Sequence, residues 1–170
     1  VRVAGQDCKK GELLLHAGTC MHPAALGLVA SMGIASVQVS RKPRVAVFMT
    51  GDELRPPGEP LETGQIYDSN RYTLYGMLTR LGVDIIDLGI IRDDRQAIED
   101  AMLTAAGSAD AIITSGGVSV GDADLVREII EKLGSISFWK VAMKPGRPLA
   151  FGKVKDAWMF GLPGNPVSTM

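Results

Sequence analysis

The chain has 170 residues, enough to bury the core of one full domain, or of one domain with part of another. Its 18 Lys and Arg stand against 19 Asp and Glu, a formal net charge of -1. With no broad basic field, nothing points to nucleic acid or an anionic membrane as partner, and any bound anion is expected to be held by local geometry. No apolar run approaches the roughly 20 residues that a membrane-spanning helix needs, and no targeting segment is visible.

Residues 1–40 differ in character from the rest. GELLLHAG and PAALGLVASMG predict a short strand, a turn and a helix near 23–32, and a further strand follows at 36–39. Ser-Arg-Lys-Pro at 40–43 is a polar, proline-bearing boundary. Residues 1–40 are therefore expected to be an incomplete segment of a neighbouring small domain, and residues 41–170 an α/β domain. The chain opens at Val1 and stops at Met170, where a helix is beginning after PVST, so the expectation is a piece of a longer protein whose α/β domain is truncated at its C-terminal end. Cys8 and Cys20 lack CxxC spacing and read as free thiols of a reducing, cytoplasmic compartment; with His16 and His22 they fit no standard zinc pattern.

From Arg44 onward strand and helix signals alternate. Residues 45–49 form an apolar, buried-strand run. Asp68-Ser69-Asn70 read as capping residues for a helix reaching about Leu81, with Leu74, Leu78 and Leu81 on one face. A second strand covers 83–89. Asp94 then caps a helix that turns Ala97, Ile98, Ala101, Met102 and Ala105 inward. The third strand is 111–114, and a helix near 124–133 carries Leu125, Val126, Ile129, Ile130 and Leu133 at helical spacing. A fourth strand at 135–142 is followed by two more, at 148–152 and 157–160, around a turn. This alternation predicts a three-layer αβα domain with a mostly parallel sheet.

Ligands of an open α/β sheet bind beyond the carboxyl ends of its strands. The segments expected there are TGDEL (50–54), RDD (92–94), SGGVSVGDAD (115–124), KPGRP (144–148) and GLPGNPVS (161–168). Ser115, Gly116 and Gly117 let backbone N–H groups approach an anion, and Ser119 adds a hydroxyl. On that reading Gly116→Val weakens ligand binding more than it weakens the fold. Pro166 suits the first turn of a helix whose amides would face an anion. Either glycine-rich loop alone is equally well a structural turn; together at one edge they favour phosphate.

Glu53, Asp93 and Asp124 come from three different loops, the way a hard cation such as Mg²⁺ is usually held, with waters and phosphate completing the shell. Asp94 and Asp122 read instead as helix-start residues. Lys144 and Arg147, flanked by prolines, supply cations for an oxyanion. Lys140 stands open between a surface residue and a site residue on chemistry alone.

TGDEL, GQIYDSN, LGIIRDD, TSGGVSVGDAD, FWKVAMKPGRPLAFGK and GLPGNPVS occur in this order over 44–170. Together they resemble the core domain of the MoeA-like molybdopterin molybdenumtransferases, the family that includes the plant and gephyrin E-domains. Residues 1–40 resemble the segment that precedes this core. The resemblance implies a MogA-like molybdopterin-binding fold and a Mg²⁺-dependent reaction in which molybdate enters adenylylated molybdopterin and AMP is released. It implies catalytic roles for Glu53, Asp93, Asp124, Lys140 and Lys144, with Asp93 and Asp124 as metal ligands. It implies positions around the pyrophosphate and molybdate for Lys140, Lys144, Arg147 and Ser168, and a loop-shaping role for Pro163 and Pro166; with Ser115, Gly116, Gly117 and Ser119 from the loop chemistry, these are the expected cofactor-binding residues. It further implies a homodimer in the full-length protein. The other readings weighed are a molybdopterin adenylyltransferase, which shares the fold and an SGG loop, and a non-catalytic pterin-binding scaffold.

Overall fold

The computed structural model describes residue 3, residues 5–117 and residues 123–170, with only the backbone of Ala123 and Asp124. The chain divides into two compact units, Val1–Arg41 and Lys42–Met170. In the first, α1 (Pro23–Ser31) is the only regular element among the described residues. Its N-cap is His22, whose side chain accepts from Ala25 N, and Pro23 supplies the preset φ of a first helical residue. The strands expected around 11–18 and at 36–39 do not form. A strand is stable only where a neighbour takes its N–H and C=O groups, and these segments pair with nothing among the described residues of the unit.

The second unit is built on a six-stranded sheet. Its strands are β1 (Arg44–Thr50), β4 (Asp84–Ile91), β5 (Ala111–Ser115), β6 (Gly134–Lys140), β7 (Pro148–Val154) and β8 (Ala157–Leu162), in the order β4-β1-β5-β8-β7-β6. The pairs β1–β4, β1–β5 and β5–β8 are parallel; β7 runs antiparallel to both β8 and β6. A separate two-residue ladder joins β2 (Leu54–Arg55) to β3 (Ile66–Tyr67) in parallel. The helices are α2 (Asn70–Leu81), α3 (Arg95–Ser108), α4 (Ala123–Leu133) and α5 (Pro166–Thr169).

Strand periodicity sorts β1 between two cores. Ala46 and Phe48 face one way and pack with Ile98, Met102 and Ala105 of α3 and Val126, Ile129 and Ile130 of α4. Val45, Val47 and Met49 face the other way and pack with Leu74 and Leu78 of α2. Helices thus cover both faces, as near-continuous apolar parallel strands require. Truncating a fully buried side chain such as Met102 in a core of this kind costs about 2–5 kcal/mol. One expected core position is corrected: Leu81 is 74% exposed. It is the last residue of α2, where Gly82 turns into the left-handed conformation at φ 72° and ends the helix before the apolar stripe can continue.

Candidate functional site

Parallel strands put their carboxyl ends on one edge. Thr50 pairs with Ile91, Met49 with Ser115, and Ser115 with Leu162, so the segments after β1, β4, β5 and β8 leave the sheet side by side. Lys140 pairs with Pro148, which brings the segment between β6 and β7 to the same edge. A cleft of about 430 Å³ opens there, lined by Thr50, Glu53, Asp68, Asn70, Ser115, Gly116, Gly164, Asn165 and Pro166 among others.

The β2–β3 ladder forms one wall. Ile66 N donates to Glu53 O and Asp68 N to Arg55 O, each at 2.9 Å, so the segment after β1 carries residues 66–70 into place. Asp68 is 2% exposed. Its Oδ1 accepts from Arg71 N at 3.1 Å, while Oδ2 has no hydrogen-bond partner among the described residues. Burial pushes the Asp68 carboxyl above its ordinary range, against the pull of the Arg71 N–H and the Arg71 charge. The Arg71 guanidinium is held in turn by Asp87 at 2.8 Å.

The opposite wall is a polar lattice, tied to the first wall by the Asn70 amide. Asn70 Nδ2 donates to Ser115 Oγ at 2.8 Å and to Gly164 O at 2.9 Å. Ser115 Oγ donates to Pro163 O at 3.0 Å, and Thr169 Oγ1 donates to the same carbonyl at 2.8 Å. Asn165 caps α5 by accepting from Val167 N at 3.0 Å. Gly116 and Gly117 have φ of 94° and 64°. A Cβ on Gly116 would lie 2.2 Å from Thr50 O, and one on Gly117 would lie 2.7 Å from Val126 Cγ2 and 2.8 Å from Thr50 Oγ1. Gly116→Val, expected to weaken ligand binding more than it weakens the fold, meets the fold directly: this glycine is required by the backbone packed against it.

Of the residues singled out from the sequence, Glu53, Ser115, Gly116 and Pro166 line the cleft. Glu53 is exposed and folds its carboxylate over Gly51. Asp93 accepts from Asp52 N through Oδ2 at 3.2 Å, and Asp93 N donates to Asp52 Oδ1 at 3.3 Å, which ties the β4 end to the β1 end. Asp94 caps α3 by accepting from Ala97 N. Lys140, Lys144 and Arg147 are exposed, outside the lining of the cleft. Gly146 lies against Ser168, its ideal Cβ position 3.8 Å from Ser168 Cβ, so the KPGRP and GNPVS segments meet. Pro163 is buried. Asp124 is the second residue of α4, and Ser119 lies outside the described residues. Among the described residues no cluster of three or more His, Cys, Asp or Glu forms a metal cage. Glu53 and Asp93 are hard oxygen donors on separate loops, the donor type that Mg²⁺ takes when water and phosphate complete its shell; the side chain of Asp124 lies outside the described residues.

Sequence reasoning assigned Asp68, Ser69 and Asn70 to capping alone. Ser69 makes no side-chain cap bond, and Asn70 is already inside the helix, buried at 8% exposure. The available signal was an excess: one cap needs one such residue, and the sequence supplies three.

The model for the family described as "Probable molybdopterin binding domain" matches residues 46–170. A molybdopterin molybdenumtransferase of Haemophilus influenzae is 49% identical over 170 residues, covering all of this chain and 42% of that protein. The crystal structure of a molybdopterin biosynthesis MoeA protein from Pyrococcus horikosii superposes with a TM-score of 0.81 at 39% identity, covering 96% of this chain and 40% of its own. A MoaB molybdopterin biosynthesis enzyme from Thermus theromophilus shares the fold at TM-score 0.57 and 17% identity, covering 75% of this chain and 84% of its own. The chain thus spans about two-fifths of the length of the molybdenumtransferase it matches. No helix among the described residues is long and apolar enough to cross a membrane. With the six ordered motifs, the three-layer sheet and residues 46–170 in agreement, the chain belongs to the molybdopterin-binding domain family, and its relatives support a transferase role in molybdenum cofactor biosynthesis.

Proposed function

We propose that the whole protein of which this chain is part inserts molybdate into adenylylated molybdopterin and releases AMP. The observation that carries the reading is the convergence of five Gly-, Pro- and charge-rich segments on one sheet edge, three of which (50–54, 115–117 and 161–168) line a cleft of about 430 Å³, in a chain that is 49% identical to a molybdopterin molybdenumtransferase. Asp93 and Asp124 would hold Mg²⁺, which supplies charge neutralisation at the pyrophosphate when bound. Glu53 and Lys140 would line the reacting end. Lys144 neutralises pyrophosphate, and Arg147, with Ser168 of the adjoining segment, holds molybdate; the packing of Gly146 against Ser168 supports pairing these two segments. Gly117, Ser119 and Pro163 complete the pterin-binding loops. Other domains, in part from the partner of a homodimer, complete the cleft.

The test is AMP release by the full-length protein supplied with adenylylated molybdopterin, molybdate and Mg²⁺. Release that depends on molybdate supports insertion. Formation of adenylylated pterin from ATP would assign the adenylyltransferase activity instead, and pterin binding without turnover would assign a scaffold. Losing one charge-assisted hydrogen bond costs about 1.5–3 kcal/mol, or one to two decades of affinity. Arg147→Ala should raise the molybdate requirement by that amount and spare pterin affinity, and Lys144→Ala should do the reverse.

A further inference from the structure

The cleft wall built by β3 and the start of α2 has a chemistry opposite to that of the anion loops. Asp68 Oδ2 and Asn70 Oδ1 are buried and without partners among the described residues. Both amide hydrogens of Asn70 are directed at Ser115 Oγ and Gly164 O, so the side chain has only an acceptor left to offer. Among the described residues, the one other buried side-chain atom of the lining without a partner is Thr50 Oγ1, a hydroxyl that serves as donor or acceptor. An occupant that satisfies these oxygens presents hydrogen-bond donors, as the N–H edge of a heterocycle does. A phosphate or molybdate oxygen would face carboxylate and amide oxygens, and an apolar group would leave buried acceptors unpaired.

We propose that Asp68, seconded by Asn70, reads the N–H edge of the pterin ring, with Asp68 Oδ2 accepting from the 2-amino group of the aminopyrimidinone. This rests on the pterin-binding half of the function above. Three further observations support it. Asp68 is only 2% exposed, so its free oxygen is not satisfied by bulk water. Its other oxygen is fixed by Arg71 N, which sets the orientation of the carboxyl group. The raised carboxyl shows that the fold tolerates Asp68 at a cost in charge solvation, which a donor from a ligand would relieve. Asp68 is then a specificity residue that selects a 2-amino heterocycle and leaves molybdate and pyrophosphate to the opposite segments.

The probes are 6-hydroxymethylpterin and its lumazine counterpart, in which oxygen replaces the 2-amino group, titrated by fluorescence into the full-length protein. The wild type should prefer the pterin by about tenfold, equivalent to ~1.4 kcal/mol. Asp68→Asn keeps an oxygen for Arg71 N, and its new amide can donate to the lumazine oxygen, so the preference should vanish or reverse. Should that variant melt differently from the wild type, Asp68→Ser, whose hydroxyl still accepts from Arg71 N, carries the same expectation of lost preference. An unchanged preference in the variants, equal affinities in the wild type, or binding of neither probe overturns the proposal. So does a loss of Mg²⁺ binding in Asp68→Asn with the pterin preference intact, which would make the carboxyl a cation seat. Failure of AMP release with the pterin discrimination preserved removes the insertion reading and leaves this one standing; the converse result separates them the other way.

Discussion

The two walls of the cleft are made of similar small polar residues and put them to opposite uses. On the β5–β8 side, Ser115 Oγ, Thr169 Oγ1, Asn165 Oδ1 and the Pro163 carbonyl are all committed to one another or to neighbouring backbone. On the β3–α2 side, Asp68 and Asn70 each keep a buried oxygen unpaired among the described residues. A satisfied lattice holds loops in place, and such groups cost stability when deleted. An open acceptor costs stability while it stays empty, and its removal should cost the fold nothing. The first wall is framework, and the second, on the proposal above, is the acceptor edge of a ligand site.

The most disruptive way to break this contrast is at Gly116. Its φ of 94° strains any L side chain, and a Cβ would meet Thr50 O at 2.2 Å, which is backbone and has no rotamer to change. Overpacking and left-handed strain together amount to roughly 3–5 kcal/mol for Gly116→Val. Urea unfolding should show that loss without any ligand present. A variant with wild-type stability and defective pterin binding would return Gly116 to the role of a ligand cradle.

Ser115→Ala removes one donor and one acceptor from the lattice, but Asn70 keeps Gly164 O and Pro163 O keeps Thr169. The expected loss is about 1–2 kcal/mol, measured the same way. Asn165→Ala deletes only the cap of α5 and should cost about 0.5–1 kcal/mol, the low end for an exposed cap. If Ser115→Ala proves neutral in stability, the lattice is not framework and the contrast between the walls fails.

How legible was all this beforehand? The sheet is legible in β1, β5 and β8 because their runs are largely apolar, and in the edge strand β4 from its Ile and Leu residues despite Asp84 and Asp87. The helix α3 is legible because Ile98, Ala101, Met102 and Ala105 recur at helical spacing. Position along a strand gave the edge, so the segments carrying Glu53, Ser115 and Pro166 were found without tertiary information. The β2–β3 ladder escaped notice because two-residue strands have no period to detect. Asp68 escaped for a related reason. Burial of a polar residue is a tertiary fact, and a DSN triplet before a helix has a sufficient local explanation in capping. The ELLL segment of residues 12–15 erred in the opposite direction: its apolar run suggested a strand, and pairing, which sequence does not display, is absent within its unit.

The mildest test exchanges one oxygen for one nitrogen. In Asp68→Asn the amide oxygen still accepts from Arg71 N, so the start of α2 keeps its geometry. What changes is the charge. The Asp68 carboxyl is raised above the usual 3.8 chiefly by burial, so the folded chain binds this proton more tightly than the unfolded chain does. Its favourable contribution is complete below the unfolded value and is lost as pH rises through the raised folded value. Above that range the wild type carries the full cost of a buried, underpartnered carboxylate. Asp68→Asn lacks this titration. The stability difference between variant and wild type should therefore be flat at low pH, shift in favour of the variant as pH rises through the carboxylate range, and level off near neutrality. Urea unfolding across that range measures it. Parallel curves for the two proteins would mean that Asp68 titrates alike folded and unfolded, and that its second oxygen is already satisfied in solution. In that event the wall would hold no vacancy, and the contrast with the β5–β8 side would reduce to a difference in hydrogen-bond count.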